Sequence, residues 1–180
     1  MIADRLHLRS ERVREVSAVV GGFLALTLVM TYPIVRHLGT ALPNDLGDPL
    51  LNAWILAWDA DRLLHGWRGL WQAPLFFPYS NTLAYSEHLL GIAVIFAPVQ
   101  WLFGNMVLTY NVAFLFSYVL AGCGTYLLVK SLTGNCWAAT IAGIAFAFCP
   151  YRAAQLPHLC HPIQAKPTRA QPRVCLAGQT

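Results

Sequence analysis

The sequence predicts an all-α fold: a polytopic helical membrane protein with about four transmembrane helices and a large extracytoplasmic loop carrying interfacial helices. Three observations predict it. The composition is 57% hydrophobic and only 11% charged, whereas soluble domains carry about a quarter charged residues. Mean hydropathy is +0.50. Two long segments, Val16–Val35 and Leu89–Val129, contain no Asp, Glu, Lys or Arg at all.

The chain opens with residues 1–15, where Arg5, Arg9, Arg12 and Arg14 alternate with Asp4, Glu11 and Glu15. Basic residues flanking a first apolar segment mark the cytoplasmic side, so this is a cytoplasmic anchor. The formal charge of +4 does not point to nucleic acid, because the twelve basic residues are dispersed along the chain. Residues 16–35 follow as the first crossing. Twenty residues make a helix about 30 Å long, the thickness of a bilayer core. Gly39-Thr40-Ala41 resembles a cleavage site, but the apolar run exceeds the roughly 7–15 residues of a signal-peptide core, which favours a retained anchor.

Residues 36–88 form the extracytoplasmic loop. Arg36, Asp45, Asp48, Asp59, Asp61, Arg62, Arg68 and Glu87 lie in it, and burying these eight ionised groups in hydrocarbon would cost on the order of 20 kcal/mol at roughly 2.5 kcal/mol each. Four of the six tryptophans also lie here (Trp54, Trp58, Trp67, Trp71), a density that suits the headgroup zone. An interfacial helix is expected over 49–65, with Asp48 as N-cap, Pro49 at its first position and Gly66 beyond its end. Leu51, Trp54, Ile55 and Trp58 share its apolar face, and Asn52, Asp59 and Arg62 its polar one. Asp59 and Arg62 are read as a surface i, i+3 pair, and Asp61 and His65 as an i, i+4 pair. Pro74, Pro78 and Ser80-Asn81 then break regular structure before Tyr85-Ser86-Glu87-His88.

The second and third crossings are expected at 89–103 and 107–129, separated by the turn-forming Gly104-Asn105 on the cytoplasmic side. Pro98 shortens or kinks the second. A fourth, 135–150, carries Ala138, Ala139, Ala142, Gly143, Ala145 and Ala147, small residues that permit close helix packing. Arg152 then falls inside, and residues 151–180 read as a coil-like cytoplasmic tail broken by Pro157, Pro162, Pro167 and Pro172. The five cysteines lack a CxxC pair; Cys123, Cys136 and Cys149 read as packing thiols, and His158, Cys160, His161 and Cys175 fit no familiar zinc spacing.

The chemistry-bearing residues of the loop are Asp45 and Asp48 at its start and Glu87 and His88 at its end. Carboxylates just outside a membrane are free to meet a lipid-borne substrate without being buried. Asp48 before Pro49 suits helix capping as well as proton transfer, and Asp45 suits a solvated turn. Glu87 and His88 can open the next helix, or can join Asp48 around a cation, so a divalent cation is the one cofactor the residues leave room for.

The run Gly47-Asp48-Pro49-Leu50-Leu51-Asn52-Ala53-Trp54-Ile55-Leu56-Ala57-Trp58, then Phe76-Phe77-Pro78-Tyr79 and Ser86-Glu87-His88-Leu89-Leu90-Gly91, resembles the N-terminal part of bacterial multi-pass glycosyltransferases of the GT-C type. Gly143-Ile144-Ala145-Phe146-Ala147-Phe148-Cys149-Pro150-Tyr151-Arg152 is similar to the end of the fourth span in that group, and the likeness covers roughly residues 16–158. The resemblance implies a location in the bacterial cytoplasmic (inner) membrane, with the N-terminus cytoplasmic. It also implies transfer of a sugar from a polyprenyl-phosphate donor to an extracytoplasmic acceptor. Asp48 matches the family's loop acid by position, with Asp45 second, and Glu87 and His88 would orient that base or hold a cation. Family members continue with further spans where this chain turns polar, so a truncated, inactive copy is expected. The alternative class is a non-catalytic multi-pass protein, a transporter or assembly subunit, in which Asp48 only caps a helix.

Overall fold

Apolar sequence from Val13 onward continues a helix that begins earlier. The computed structural model describes residues 2–43, 47–76, 78–154 and 161–162, and its first helix, α1, spans Ile2–Met30. Within it the Val13–Met30 window has a mean hydropathy of 1.7, yet only 11% of that window is buried. The Thr27 and Thr31 hydroxyls donate to the carbonyls one turn back, Phe23 and Thr27, each at 2.7 Å, which satisfies both groups inside an apolar stretch. Thr31 ends α1, and a five-residue helix, α2 (Tyr32–Arg36), follows with a proline in its first turn. The expected crossing over 16–35 is therefore broken before its end.

The other long apolar helix is α5, Met106–Thr133, with a mean hydropathy of 1.9 and 22% of its length buried. Asn105 caps it, accepting from the Val107 and Leu108 amides at 3.0 and 3.1 Å, and Gly134 stops it with φ +68°. α1 and α5 run antiparallel: Glu15 pairs with Lys130, Phe23 lies against Gly122, and the Leu38 and Ala41 carbonyls meet Asn111. Two helices are thus long and apolar enough to cross a membrane. Their exposed Val, Leu and Phe side chains, such as Val20, Leu24, Leu120 and Leu128, point to a membrane location.

The other two expected crossings are shorter. α4 spans Leu90–Phe103 and α6 Cys136–Ala147, 14 and 12 residues, or about 21 and 18 Å of helix. The all-α class holds, with two helices rather than four reaching spanning length. α6 runs back along α5 through small residues: a Cβ at Gly143 would lie 2.6 Å from Phe23 Cζ and 2.9 Å from the Gly122 carbonyl. Phe23 thus sits in a slot whose walls are two glycines. Phe148 then stacks on Tyr118 at 5.6 Å, and the short α7 (Pro150–Ala154) sets Arg152 against Ser117. Expected beyond the cytoplasmic end of a span, Arg152 instead meets the middle of α5. A two-residue strand, β1 (Ala41–Leu42), pairs antiparallel with β2 (His161–Pro162). The rest of the expected tail, including His158, Cys160 and Cys175, lies outside the described residues.

A larger correction concerns the 104–105 turn. The Asn105 amide donates to the Gly39 carbonyl at 3.0 Å, so the turn lies beside the end of α1, with the 36–88 loop, and not across the bundle from it. α4 leads from the loop back to that same end. It pairs with α5 through Thr109 Oγ1 donating to Gln100 Oε1 (2.8 Å) and a Phe96–Phe116 edge contact (5.5 Å), and with the loop helix through Trp101 Nε1 donating to the Ala60 carbonyl (3.0 Å).

That loop helix, α3, spans Asp48–Leu64, and its two faces are turned the opposite way from the expectation. Ile55, with Leu51, Trp54 and Trp58 beside it, packs on Leu70, Ala73 and Leu83 from the loop's own second half. Trp58 Nε1 donates to the Leu70 carbonyl (2.9 Å) and the Thr82 hydroxyl to that of Ala73 (2.7 Å), closing this small core. The polar face points inward, toward α4 and α5.

Candidate functional site

Asp48, Asn52, Leu56 and Asp59 recur at i, i+4, i+8 and i+11 and so fall on one stripe of α3. Asn52 and Leu56 line a cavity of about 220 Å3, closed by Leu89 and Ile92 at the start of α4 and by Tyr110, Ala113, Phe114 and Ser117 of α5. That is smaller than the roughly 300–1,000 Å3 of typical ligand clefts, which suits a compact polar group. A second, larger groove of about 440 Å3 lies between α1 and α6 and is lined by apolar residues apart from Thr140. It carries no chemistry of its own.

Asp48 is not the N-cap. Gly47 occupies that position, Asp48 is the first helical residue and Pro49 the second. No side-chain cap bond forms at this end. The exposed Asp48 carboxylate therefore sits in the first turn of the helix. Asp45 lies outside the described residues. Glu87 is exposed in the extended segment before α4 and does not enter that helix. Asp48 and Glu87 both lie within electrostatic range of the Tyr110 phenol at the cavity wall, and neither lines the cavity itself.

His88 does open α4, through its side chain. Its Nδ1 accepts from the Leu90 amide at 3.1 Å, and Trp71 packs edge-on against the ring at 4.8 Å. With Nδ1 accepting, the neutral ring carries its proton on Nε2, a tautomer assigned from the hydrogen bond. The same bond removes Nδ1 as a metal ligand. Among the described residues no group of three or more His, Cys, Asp or Glu side chains gathers to hold a cation. Glu87 and His88 are thus not part of such a group among the described residues.

Asp59 is the residue that sequence reasoning misplaced. Its expected partner Arg62 bonds Asp61 instead and lies over the Trp58 ring at 4.6 Å. The expected Asp61–His65 contact does form, His65 Nδ1 lying 2.8 Å from the Asp61 carbonyl and 3.7 Å from its carboxylate. Asp59 itself is 0% exposed, and neither carboxylate oxygen has a hydrogen-bond partner. Burial pushes its carboxyl above the ordinary range, with His88 pulling weakly the other way. Its i−3 and i−7 neighbours, Leu56 and Asn52, were the available signal. An acid in register with residues that face a bundle is itself carried inward.

No protein-family model, curated relative or solved structure matches the chain.

Proposed function

We propose that this chain supplies the first membrane helix, acidic loop and following helices of a GT-C-type glycosyltransferase, one that moves a sugar from a polyprenyl-phosphate donor to an extracytoplasmic acceptor. Supporting this reading is one observation above the others: Asp48 and Glu87, from opposite ends of the loop, both lie within electrostatic range of Tyr110, which lines a cavity together with Asn52 and Ser117. In the reaction Asp48 takes the proton from the attacking acceptor hydroxyl while the bond between the sugar's anomeric carbon and the phosphate oxygen breaks. Asn52, one turn further along α3, is placed to orient the acceptor, and Glu87 keeps the site acidic. The N-terminus is cytoplasmic in the inner membrane, residues 31–105 lie on the far side, and α4 and α6 complete a polytopic bundle.

The test is sugar transfer in proteoliposomes containing a polyprenyl-phosphate sugar, read as release of polyprenyl phosphate. Asp48→Asn keeps the size of the side chain and removes the base, so the rate is expected to fall by roughly 10²–10⁴-fold. A wild-type rate in the variant would remove Asp48 from the chemistry. Absence of transfer by the wild-type chain as well would favour the truncated, inactive copy or the non-catalytic alternative.

A further inference from the structure

Arg152 carries its charge to a place where a charge is costly. Its Nη2 donates to Ser117 Oγ at 3.0 Å, its guanidinium lies 4.4 Å over the Tyr118 ring, and the Tyr118 hydroxyl donates to its carbonyl at 3.1 Å. Ser117 and Tyr118 are the twelfth and thirteenth residues of the 28-residue α5, so the guanidinium sits near the mid-depth of the longest apolar helix. An ionisable group at that depth calls for a counter-charge. Yet no carboxylate among the described residues lies within ion-pair distance of Arg152. Ser117 donates its own proton to the Phe114 carbonyl at 2.7 Å, so it serves Arg152 as an acceptor and holds the fork in one orientation. The second Nη2 hydrogen is left over with those of Nε and Nη1, so one parallel pair of donors that includes Nη2 remains. Ser117 is also a wall of the 220 Å3 cavity, seven residues along α5 from Tyr110 and thus about 10.5 Å from the acidic end. The cavity therefore has Tyr110, within electrostatic range of Asp48 and Glu87, toward one end and a held guanidinium one hydrogen bond beyond the other.

We infer that Arg152, oriented by Ser117 and Tyr118, binds a phosphate-type oxyanion at the Ser117 end of the cavity between α3, α4 and α5. A guanidinium with two parallel donors free matches a tetrahedral oxyanion better than it matches a neutral group. Its aromatic backing keeps the planar fork in place without spending those donors. The inference deepens the transfer reading by naming the residue that meets the donor's phosphate, and rests on that reading only for the source of the anion. Binding itself does not require transfer to occur.

The experiment measures binding of dodecyl phosphate and of inorganic phosphate to the full chain in a neutral detergent, by tryptophan fluorescence and by thermal shift, for wild type, Arg152→Gln, Arg152→Lys and Arg68→Gln, the last removing an exposed charge outside the cavity lining. Expected is saturable dodecyl phosphate binding by wild type, weakened at least tenfold in Arg152→Gln, partly retained in Arg152→Lys and unchanged in Arg68→Gln. Inorganic phosphate binding as tightly as dodecyl phosphate would support a free-phosphate source; preference for the alkyl ester would support a lipid one. Equal affinity in wild type and Arg152→Gln overturns the inference, as does an absence of saturable binding to either probe. If Arg152→Gln fails to fold by circular dichroism, Ser117→Ala replaces it. That variant keeps the charge and frees the fork, and affinity equal to wild type would likewise overturn the inference. Transfer failing while Arg152-dependent binding persists would sink the enzymatic reading alone.

Discussion

The Asn105 side-chain amide donates to the Gly39 carbonyl at 3.0 Å across 66 residues of chain, and this one bond fixes where the second half of the fold begins. It joins the end of the first long helix to the start of the other. A Cβ built on Gly39 would lie 3.1 Å from Asn105 Nδ2, so the two positions are close enough to crosslink. In a cysteine-free background, Gly39→Cys with Asn105→Cys is expected to form a disulfide on mild oxidation, seen as a mobility change on a non-reducing gel. Two cysteines on opposite sides of a bilayer would never do so.

Asn111 reinforces the same junction. Fully buried, it donates to the Leu38 and Ala41 carbonyls, both at 2.7 Å. Asn111→Leu fills a similar volume but leaves two buried acceptors bare, at about 1–3 kcal/mol each. Thermal unfolding in detergent is expected to show a loss of about 2–5 kcal/mol, whereas Asn111→Asp removes the donors and adds a charge, and should be worse.

Asp59 predicts a pH effect of defined sign. Its folded-state pKa is raised by burial, so the folded protein holds the proton more tightly than the unfolded chain. Stability therefore falls as pH rises from the ordinary carboxylate value near 3.8 through the raised one. Asp59→Asn is expected to melt higher than wild type at pH 7, by about 1–3 kcal/mol, with the difference closing as the pH approaches 4. Melting curves across pH 4–8 check it; a variant less stable at pH 7 would mean that the carboxylate has a cationic partner.

The glycine slot around Phe23 gives a packing test. Gly143→Ala places a methyl 2.6 Å from Phe23 Cζ and 2.9 Å from the Gly122 carbonyl, and should destabilise the α1–α5–α6 contact by about 1–3 kcal/mol. Trimming the ring with Phe23→Leu in the same chain is expected to recover part of that loss. A strictly additive double variant would mean that the ring and the methyl never meet.

Much of this fold is legible in the sequence because helix punctuation is local. Gly104-Asn105 and Gly134-Asn135 each pair a left-handed stop, φ +59° and +68°, with an asparagine cap, so both boundaries of α5 follow from four residues. The direction of a helix face is not local. α3 has one apolar and one polar stripe, and the sequence assigns the apolar stripe to lipid; in the structure Leu70, Ala73 and Leu83 cover it, and the polar stripe turns to α4 and α5. Asp59 is misplaced for the same reason, since His88, which acts on it, stands 29 positions further along the chain. Asp48 and Glu87 stand out in the sequence by lying at an expected membrane exit, and their common influence on Tyr110 depends on the hairpin of α4 and α5. Arg152 was assigned to a tail because nothing in its neighbours announces Ser117.

The Gly39–Asn105 junction also constrains how the protein is made. Gly39 and Asn105 meet at one end of the bundle, so in the proposed topology the segment between them has to be delivered across the bilayer after α1 emerges and before α5 can enter. The core of Ile55, Leu70, Ala73 and Leu83 would close only once that passage is complete. On that topology a ribosome translating α5 too early would strand the loop on the wrong side, and slower translation through residues 31–105 is expected to raise the yield.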